Sequence, residues 1–163
     1  MTEYVWGVDV ATGHLDFAFV GVDHDDIATE TLVTRADVAA EGQRWGWFDR
    51  QVRIYVRQVE RRFPPACIFV ERPTGARDKT PYELIQASGV TLAAIYEALS
   101  VPVFEMAVSS WKKAVIGHGN ASKAMVASWV AHNVAVDSQD QADAYCVALA
   151  GRDLLASSRR AAA

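Results

Sequence analysis

The sequence predicts an α/β fold: a five-stranded mixed sheet, its first three strands an antiparallel meander, flanked by helices on both faces. Three observations carry this. The early part of the chain holds short segments rich in β-branched and aromatic residues, separated by turn residues. From residue 44 onward, apolar runs of strand length alternate with segments whose apolar residues recur every three or four positions. The 163 residues, 51% hydrophobic, suffice to bury a sizeable core without disulfides or a structural metal. A single domain over residues 1–156 is expected, with residues 157–163 (SSRRAAA) as a disordered tail.

Tyr4 to Ala11 (YVWGVDVA) and Leu15 to Val22 (LDFAFVGV) flank Thr12, Gly13 and His14 and read as a hairpin. Ile27 to Val33 alternates into a third strand. A helix is expected from Arg44 to Phe63, where Trp45, Phe48, Val52, Tyr55, Val59 and Phe63 keep helical phase until Pro64 and Pro65 stop it. Ala66 to Glu71 (ACIFVE) is apolar enough for a strand buried on both faces, and Arg72 and Pro73 open a polar loop to Pro81. Residues 82–99 form a second helix through Leu84, Ile85, Val90, Leu92, Ile95, Tyr96 and Leu99, and Val101 to Met106 a fifth strand. A turn around Ser109 to Val115, a helix from Ser122 to His132 and a last helix from Gln139 to Leu155 complete the chain.

The net charge of −4 argues mildly against a nucleic-acid partner, but distribution matters more than the total. Arg44, Arg50, Arg53, Arg57, Arg61 and Arg62 crowd one segment, and Lys112, Lys113 and Lys123 another. The stripe of Arg50, Arg53, Arg57 and Arg61 lies opposite the helix's apolar face and reads as a solvated surface. Cys67 and Cys146 sit inside apolar runs as buried thiols, which fits a reducing, cytoplasmic setting. The start MTEYVWGVDV lacks the basic head and apolar core of a signal peptide, and no run of about twenty apolar residues could span a bilayer. No membrane partner is expected.

Four acids stand out by position. Asp9 lies between Val8 and Val10 inside the first strand; if that strand is central, a cation or a hydrogen-bonding network must balance it, and an exposed edge is the alternative. Glu71 closes the fourth strand, at the sheet edge where α/β proteins bind ligands; alternatively it pairs with Arg72 or Arg77. Asp140 and Asp143 open the last helix three residues apart, on one face of its first turn. Acids there more often cap amides and stabilise the macrodipole. Taken together the four make the all-oxygen set a hard cation requires. Two Mg²⁺ ions about 3.5–4 Å apart support in-line phosphodiester hydrolysis without a protein nucleophile.

Gly117 to Lys123 is not a Walker loop, because Ser122 rather than glycine precedes Lys123 and no strand leads into it. Gly117 and Gly119 instead let a loop pass close to a sugar-phosphate backbone. The histidines His14, His24, His118 and His132 show no metal-ligand spacing and read as surface residues. His118 is set apart by its place beside the lysines, which makes it a candidate DNA contact.

The segment WKKAVIGHGNASKAMV (Trp111 to Val126), followed by DQADAYCVALA (Asp140 to Ala150), resembles the C-terminal half of the RuvC-type Holliday junction resolvases, members of the RNase H-like superfamily. GVDVATG (Gly7 to Gly13), FVERP (Phe69 to Pro73), QASG (Gln86 to Gly89) and VPVFEM (Val101 to Met106) follow the family's order and approximate spacing. The resemblance implies an RNase H-like five-stranded sheet and a homodimer that nicks symmetry-related strands of a four-way DNA junction. It implies a cofactor of two Mg²⁺ per site, with Mn²⁺ as substitute. Asp9, Glu71, Asp140 and Asp143 take the family's metal-ligand and catalytic positions, and Lys112 and Lys123 its contacts to the scissile strand, with Lys123 also catalytic and Lys113 a neighbouring DNA contact. Two departures are visible: Thr74 stands where an aromatic residue often wedges into the junction, with Tyr82 a possible substitute, and Val10-Ala11 replaces a Pro-Gly pair.

Competing readings are a nuclease for RNA/DNA hybrids or for flap and fork DNA, and a catalytically silent binding module, which the presence of all four acids disfavours. GVDVATG also resembles the first phosphate loop of actin-like kinases, but this chain is too short for the two domains those need.

Overall fold

The computed structural model describes residues 2–34, 43–73 and 81–162. Among them the elements run β1 (Tyr4–Val10), β2 (His14–Gly21), β3 (Ile27–Val33), α1 (Arg44–Val59), β4 (Pro65–Arg72), α2 (Tyr82–Ala98), β5 (Val103–Ala107), α3 (Val108–Ile116), α4 (Lys123–Ala131) and α5 (Gln139–Ala161). The sheet order is β3-β2-β1-β4-β5. The β1–β2 and β2–β3 pairs are antiparallel, whereas β1–β4 and β4–β5 are parallel. Parallel neighbours need a crossover, which α2 supplies between β4 and β5. β1, flanked by β2 and β4, is central, which removes the edge-strand alternative for Asp9.

Strand alternation sorts the side chains into two layers. Trp6, Val8, Leu15, Phe17, Phe19, Ile68 and Val70 face α1 and α2. Val5, Ala18, Val20, Cys67, Phe69 and Met106 face α3, α4 and α5. The same alternation puts Gly7 and Asp9 of β1, Asp16 of β2 and Glu71 of β4 on the α5 side.

Helix α5 crosses β1 at Gly7, where a Cβ would lie 2.1 Å from the Ala144 carbonyl oxygen and 2.5 Å from the Ala148 amide nitrogen. Only glycine permits this approach. From Gly7 the strand advances roughly 6.6 Å to Asp9. From Ala144 the helix axis retreats roughly 6 Å to Asp140. The first turn of α5 therefore arrives level with Asp9.

Several boundaries differ from expectation for local reasons. α1 ends at Val59, and the amides of Arg62 and Phe63 both turn back to the Val59 carbonyl at 2.9 Å. That turn stacks the Phe63 ring on Phe19 at 4.4 Å and lets Trp6 Nε1 donate to the Phe63 carbonyl at 2.8 Å. The helical turn expected around Ser109 to Val115 is α3, built around buried Trp111 and closed by Gly117 at φ 90°. Gly117 thus serves helix termination. Residues 157–161, expected in a disordered tail, continue α5, where Arg159 donates to Glu3 at 3.1 Å. Arg53, read as part of a solvated stripe, donates to both Asp49 oxygens at 2.9 Å and pairs with Glu97, tying α1 to α2. Cys67 and Cys146 are free and buried, and burial raises their thiols to about 11 and about 12. Among the described residues no helix is long and apolar enough to cross a membrane.

Candidate functional site

The four sequence-predicted acids come from three elements. Asp9 lies near the end of β1, partly buried and paired in register with Asp16 of β2. Glu71 lies near the end of β4, and its Oε2 accepts a hydrogen bond from Trp111 Nε1 at 2.7 Å. Asp140 and Asp143 lie in the first two turns of α5. The capping role belongs to Ser138, whose hydroxyl accepts the Gln141 amide at 3.0 Å, so neither acid is needed as the N-cap. Asp143 Oδ1 accepts from Gln139 Nε2 at 2.8 Å.

These carboxyls lie within electrostatic reach of one another. Burial raises the Asp9 carboxyl to about 8, with further upward pressure from Glu71, Asp140, Asp143 and Asp16. Burial likewise raises Glu71 to about 7; the Trp111 hydrogen bond and Lys112 oppose this, while Asp143 and Asp140 add to it. Asp143 is raised by burial and by Asp140, against the Gln139 hydrogen bond, Lys112 and Lys123. Each effect is that of anions crowded in a region of low dielectric. Among the described residues no arginine forms an ion pair with any of the four acids, so the proposed Glu71–Arg72 pair does not form. Arg77 and Thr74 lie outside the described residues.

The basic residues frame this cluster unequally. Lys112 Nζ donates to the Ala121 carbonyl at 2.8 Å and lies 5.5 Å from the Trp111 ring centre. Its charge reaches Glu71 and Asp143. Lys123 opens α4, is exposed, and its charge reaches Asp143. Lys113 and His118 are exposed. Tyr82, at the start of α2, is 73% exposed rather than packed on the core.

Sequence reasoning missed three residues. Trp111 reads as core from its type, yet its indole N–H orients Glu71. Asp16 is buried on β2, and burial raises its carboxyl against the Thr31 hydrogen bond and His14. His14, read as a surface residue, places Nε2 3.1 Å from Asp140 Oδ2 and 3.4 Å from Asp16 Oδ2. One donor atom each from His14, Asp16 and Asp140 lies within 4.8 Å of the others. The signal that could have found Asp16 is the hairpin register: a connection centred on Thr12-Gly13 pairs Asp9 with Asp16, one on Gly13 pairs it with Phe17.

The donor set fits a hard divalent cation. It is all oxygen, its members are partly withdrawn from water, and they repel one another with no arginine among the described residues to balance them. The profile of the family described as crossover junction endodeoxyribonuclease RuvC matches residues 31–151. The chain belongs to the RuvC family. That match spans Glu71, Lys112, Lys123, Asp140 and Asp143, with Asp9 upstream of it.

Among RuvC relatives, the crossover junction endodeoxyribonuclease of Thermus thermophilus is 31% identical over 129 residues, 77% of this chain and 76% of its own length. A solved structure of T. thermophilus RuvC in complex with Holliday junction substrate aligns with TM-score 0.70 at 28% identity, covering 91% of this chain and 92% of that one. The yeast mitochondrial Holliday junction resolvase shares the fold, with TM-score 0.61 at 13% identity over 94% of this chain and 79% of its own. The five-stranded sheet with helices on both faces is thus the RuvC, RNase H-like arrangement.

Proposed function

We propose that this chain is a divalent-metal-dependent endonuclease that cuts four-way DNA junctions, acting within a homodimer as one RNase H-like domain whose last helix runs on to Ala161. What supports the reading is the electrostatic coupling among Asp9, Glu71, Asp140 and Asp143, with no guanidinium partner for any of them among the described residues. These carboxylates would hold the metal, two Mg²⁺ ions or Mn²⁺ in their place, which would supply water activation and charge neutralisation for in-line phosphodiester hydrolysis. Membership in the RuvC family supports the substrate assignment.

The protein's own groups do the rest. Trp111 fixes one oxygen of Glu71, leaving the other for the cation. Lys112 and Lys123 bring positive charge to the Glu71 and Asp143 side, where a scissile phosphate would sit, and Lys113 and His118 extend this exposed face towards the flanking backbone. Paired incision needs two sites in symmetric register, hence the dimer. A reducing cytoplasm suits the two free buried thiols.

A second substrate reading, RNA/DNA hybrids or flap and fork DNA, is favoured by Thr74 at the position where relatives carry a wedge. The exposed Tyr82 ring favours the junction. The deciding experiment compares four-way junction, fork, hybrid and linear duplex, with and without Mg²⁺. Symmetric paired cuts confined to the junction and dependent on Mg²⁺ are expected. Equal cutting of hybrid, or cutting in EDTA, overturns the assignment, and sedimentation as monomer alone at assay concentration overturns the dimer.

A further inference from the structure

Gln141, Thr31, Asp16 and His14, which the four-acid set leaves out, form a run of polar contacts that returns to Asp140 at the amino end of α5. Gln141 Nε2 donates to Thr31 Oγ1 at 3.1 Å, and the Thr31 hydroxyl donates to Asp16 Oδ1. Asp16 Oδ2 lies 3.4 Å from His14 Nε2, which in turn lies 3.1 Å from Asp140 Oδ2. Both neighbours of Nε2 are carboxylate oxygens, so the ring nitrogen is the donor. The run thus starts and ends on adjacent residues of one helical turn, Asp140 and Gln141. Its buried half is anchored further: Gln141 Oε1 accepts Thr29 Oγ1 at 3.2 Å and the Asp137 amide at 2.9 Å.

The two halves of the run have different duties. Gln141, Thr31 and Asp16 lock the first turn of α5 onto β2 and β3, and with Asp16 and Gln141 both buried this half belongs to the fold. His14 stands at the open end, its side chain 38% exposed, and of the two Asp140 oxygens it contacts Oδ2. Among the described residues Oδ1 of Asp140 accepts no hydrogen bond, which leaves it as the oxygen available to a cation. Carboxylates that ligate metal ions are themselves usually held by a hydrogen bond, which is the relation His14 has to Asp140.

We propose that His14 is a positioning residue that acts through Asp140, with Asp16 and Thr31 behind it, to present one carboxylate oxygen to the metal. The inference rests on the metal-dependent reading above. It adds a residue outside the four acids and the lysines, and it assigns the hydrogen bond from Nε2 as the working contact.

The test is Mn²⁺ binding to the full chain without DNA, followed by calorimetry, beside the Mg²⁺ dependence of junction cleavage. His14→Ala should weaken Mn²⁺ binding and raise the half-saturating Mg²⁺ by about tenfold, with metal-free junction binding and circular dichroism unchanged. His14→Gln, whose amide N–H reaches the place of Nε2, should restore most of the affinity. His14→Asn, too short to reach, should behave like alanine and stands in if alanine disturbs folding.

Unchanged affinity in both short variants overturns the proposal, and so does failure of His14→Gln to restore it. A ¹⁴N coupling to bound Mn²⁺ that His14→Ala abolishes would make His14 a ligand and also overturn it. A wild-type chain that binds no Mn²⁺ and cuts nothing sinks the metal-dependent reading itself. Wild-type binding with no effect at position 14 sinks only this inference.

Discussion

Asp9 and Asp16 stand directly opposite each other in the antiparallel β1–β2 pair, two carboxylates on one face of the same sheet. Like charges in that relation destabilise a sheet, and here Glu71, Asp140 and Asp143 add to the field at Asp9. The metal-free protein relieves the repulsion by keeping protons, and a bound cation would relieve it by adding charge.

Stability of the metal-free chain should therefore fall with rising pH. The folded state holds the Asp9 proton up to about 8 and that of Glu71 to about 7, while the unfolded chain releases both near the ordinary carboxylate values, 3.8 and 4.5. The folded state binds more protons across that window, so stability present below about pH 4 is lost as pH climbs to about 8. Melting curves in EDTA should show the decline. Mg²⁺ should flatten it, and a Tm in EDTA that rises from pH 5 to pH 8 would contradict the site electrostatics.

Asp9→Asn removes the most strongly perturbed of these groups. Metal-dependent cleavage should be lost while junction binding persists. In EDTA at pH 8 the variant should melt higher than wild type, by about 2–4 °C for each 1 kcal/mol of repulsion relieved. Cleavage that survives the substitution would remove Asp9 from the site.

Trp111→Phe keeps most of the buried ring and deletes one hydrogen bond, the 2.7 Å contact to Glu71. The expected cost is about 1–3 kcal/mol in unfolding free energy, since a buried carboxylate loses its donor. Mg²⁺ affinity should drop about tenfold as Glu71 loses its orientation. Urea denaturation and metal titration separate the two effects.

Lys112 and Lys123 should fail differently. Lys112→Ala removes the bond to the Ala121 carbonyl and should lower stability by about 1 kcal/mol as well as activity. Lys123 is exposed, so Lys123→Ala should leave unfolding unchanged and reduce cleavage rate and the salt dependence of junction binding. Paired urea melts and cleavage time courses check this; equal stability losses would place Lys123 in the fold rather than the site.

Gly7→Ala tests the helix crossing that aligns the acids. A methyl group 2.1 Å from the Ala144 carbonyl oxygen must push α5 off β1, at a cost of about 3 kcal/mol or more. Any folded fraction should bind Mn²⁺ weakly, because Asp140 and Asp143 ride on the displaced helix. Wild-type metal affinity in this variant would mean that the crossing does not set the site.

Much of this was legible in the chain. The strands and helices follow from periodicity, so β3, α2 and α4 fall within about two residues of where the pattern puts them. The acids Asp9 and Glu71 were visible as charges at the ends of apolar strands, and Asp140 and Asp143 as a spaced pair opening a helix. Less legible was α1, whose apolar phase continues to Phe63 although the helix stops at Val59: Phe63, which Pro64 disfavours in a helix, instead stacks on Phe19.

By itself, then, the sequence determined which segments form strands and helices, and which acids end them, because alternation and helical phase are properties of neighbouring residues. Only the tertiary structure decided that Asp16 rather than Phe17 faces Asp9, and that His14 reaches Asp140 and Trp111 reaches Glu71. A shift of one residue in a hairpin turns every side chain to the other face. Contacts between residues as far apart as positions 14 and 140 depend on a helix seated over a single glycine, which local pattern does not encode.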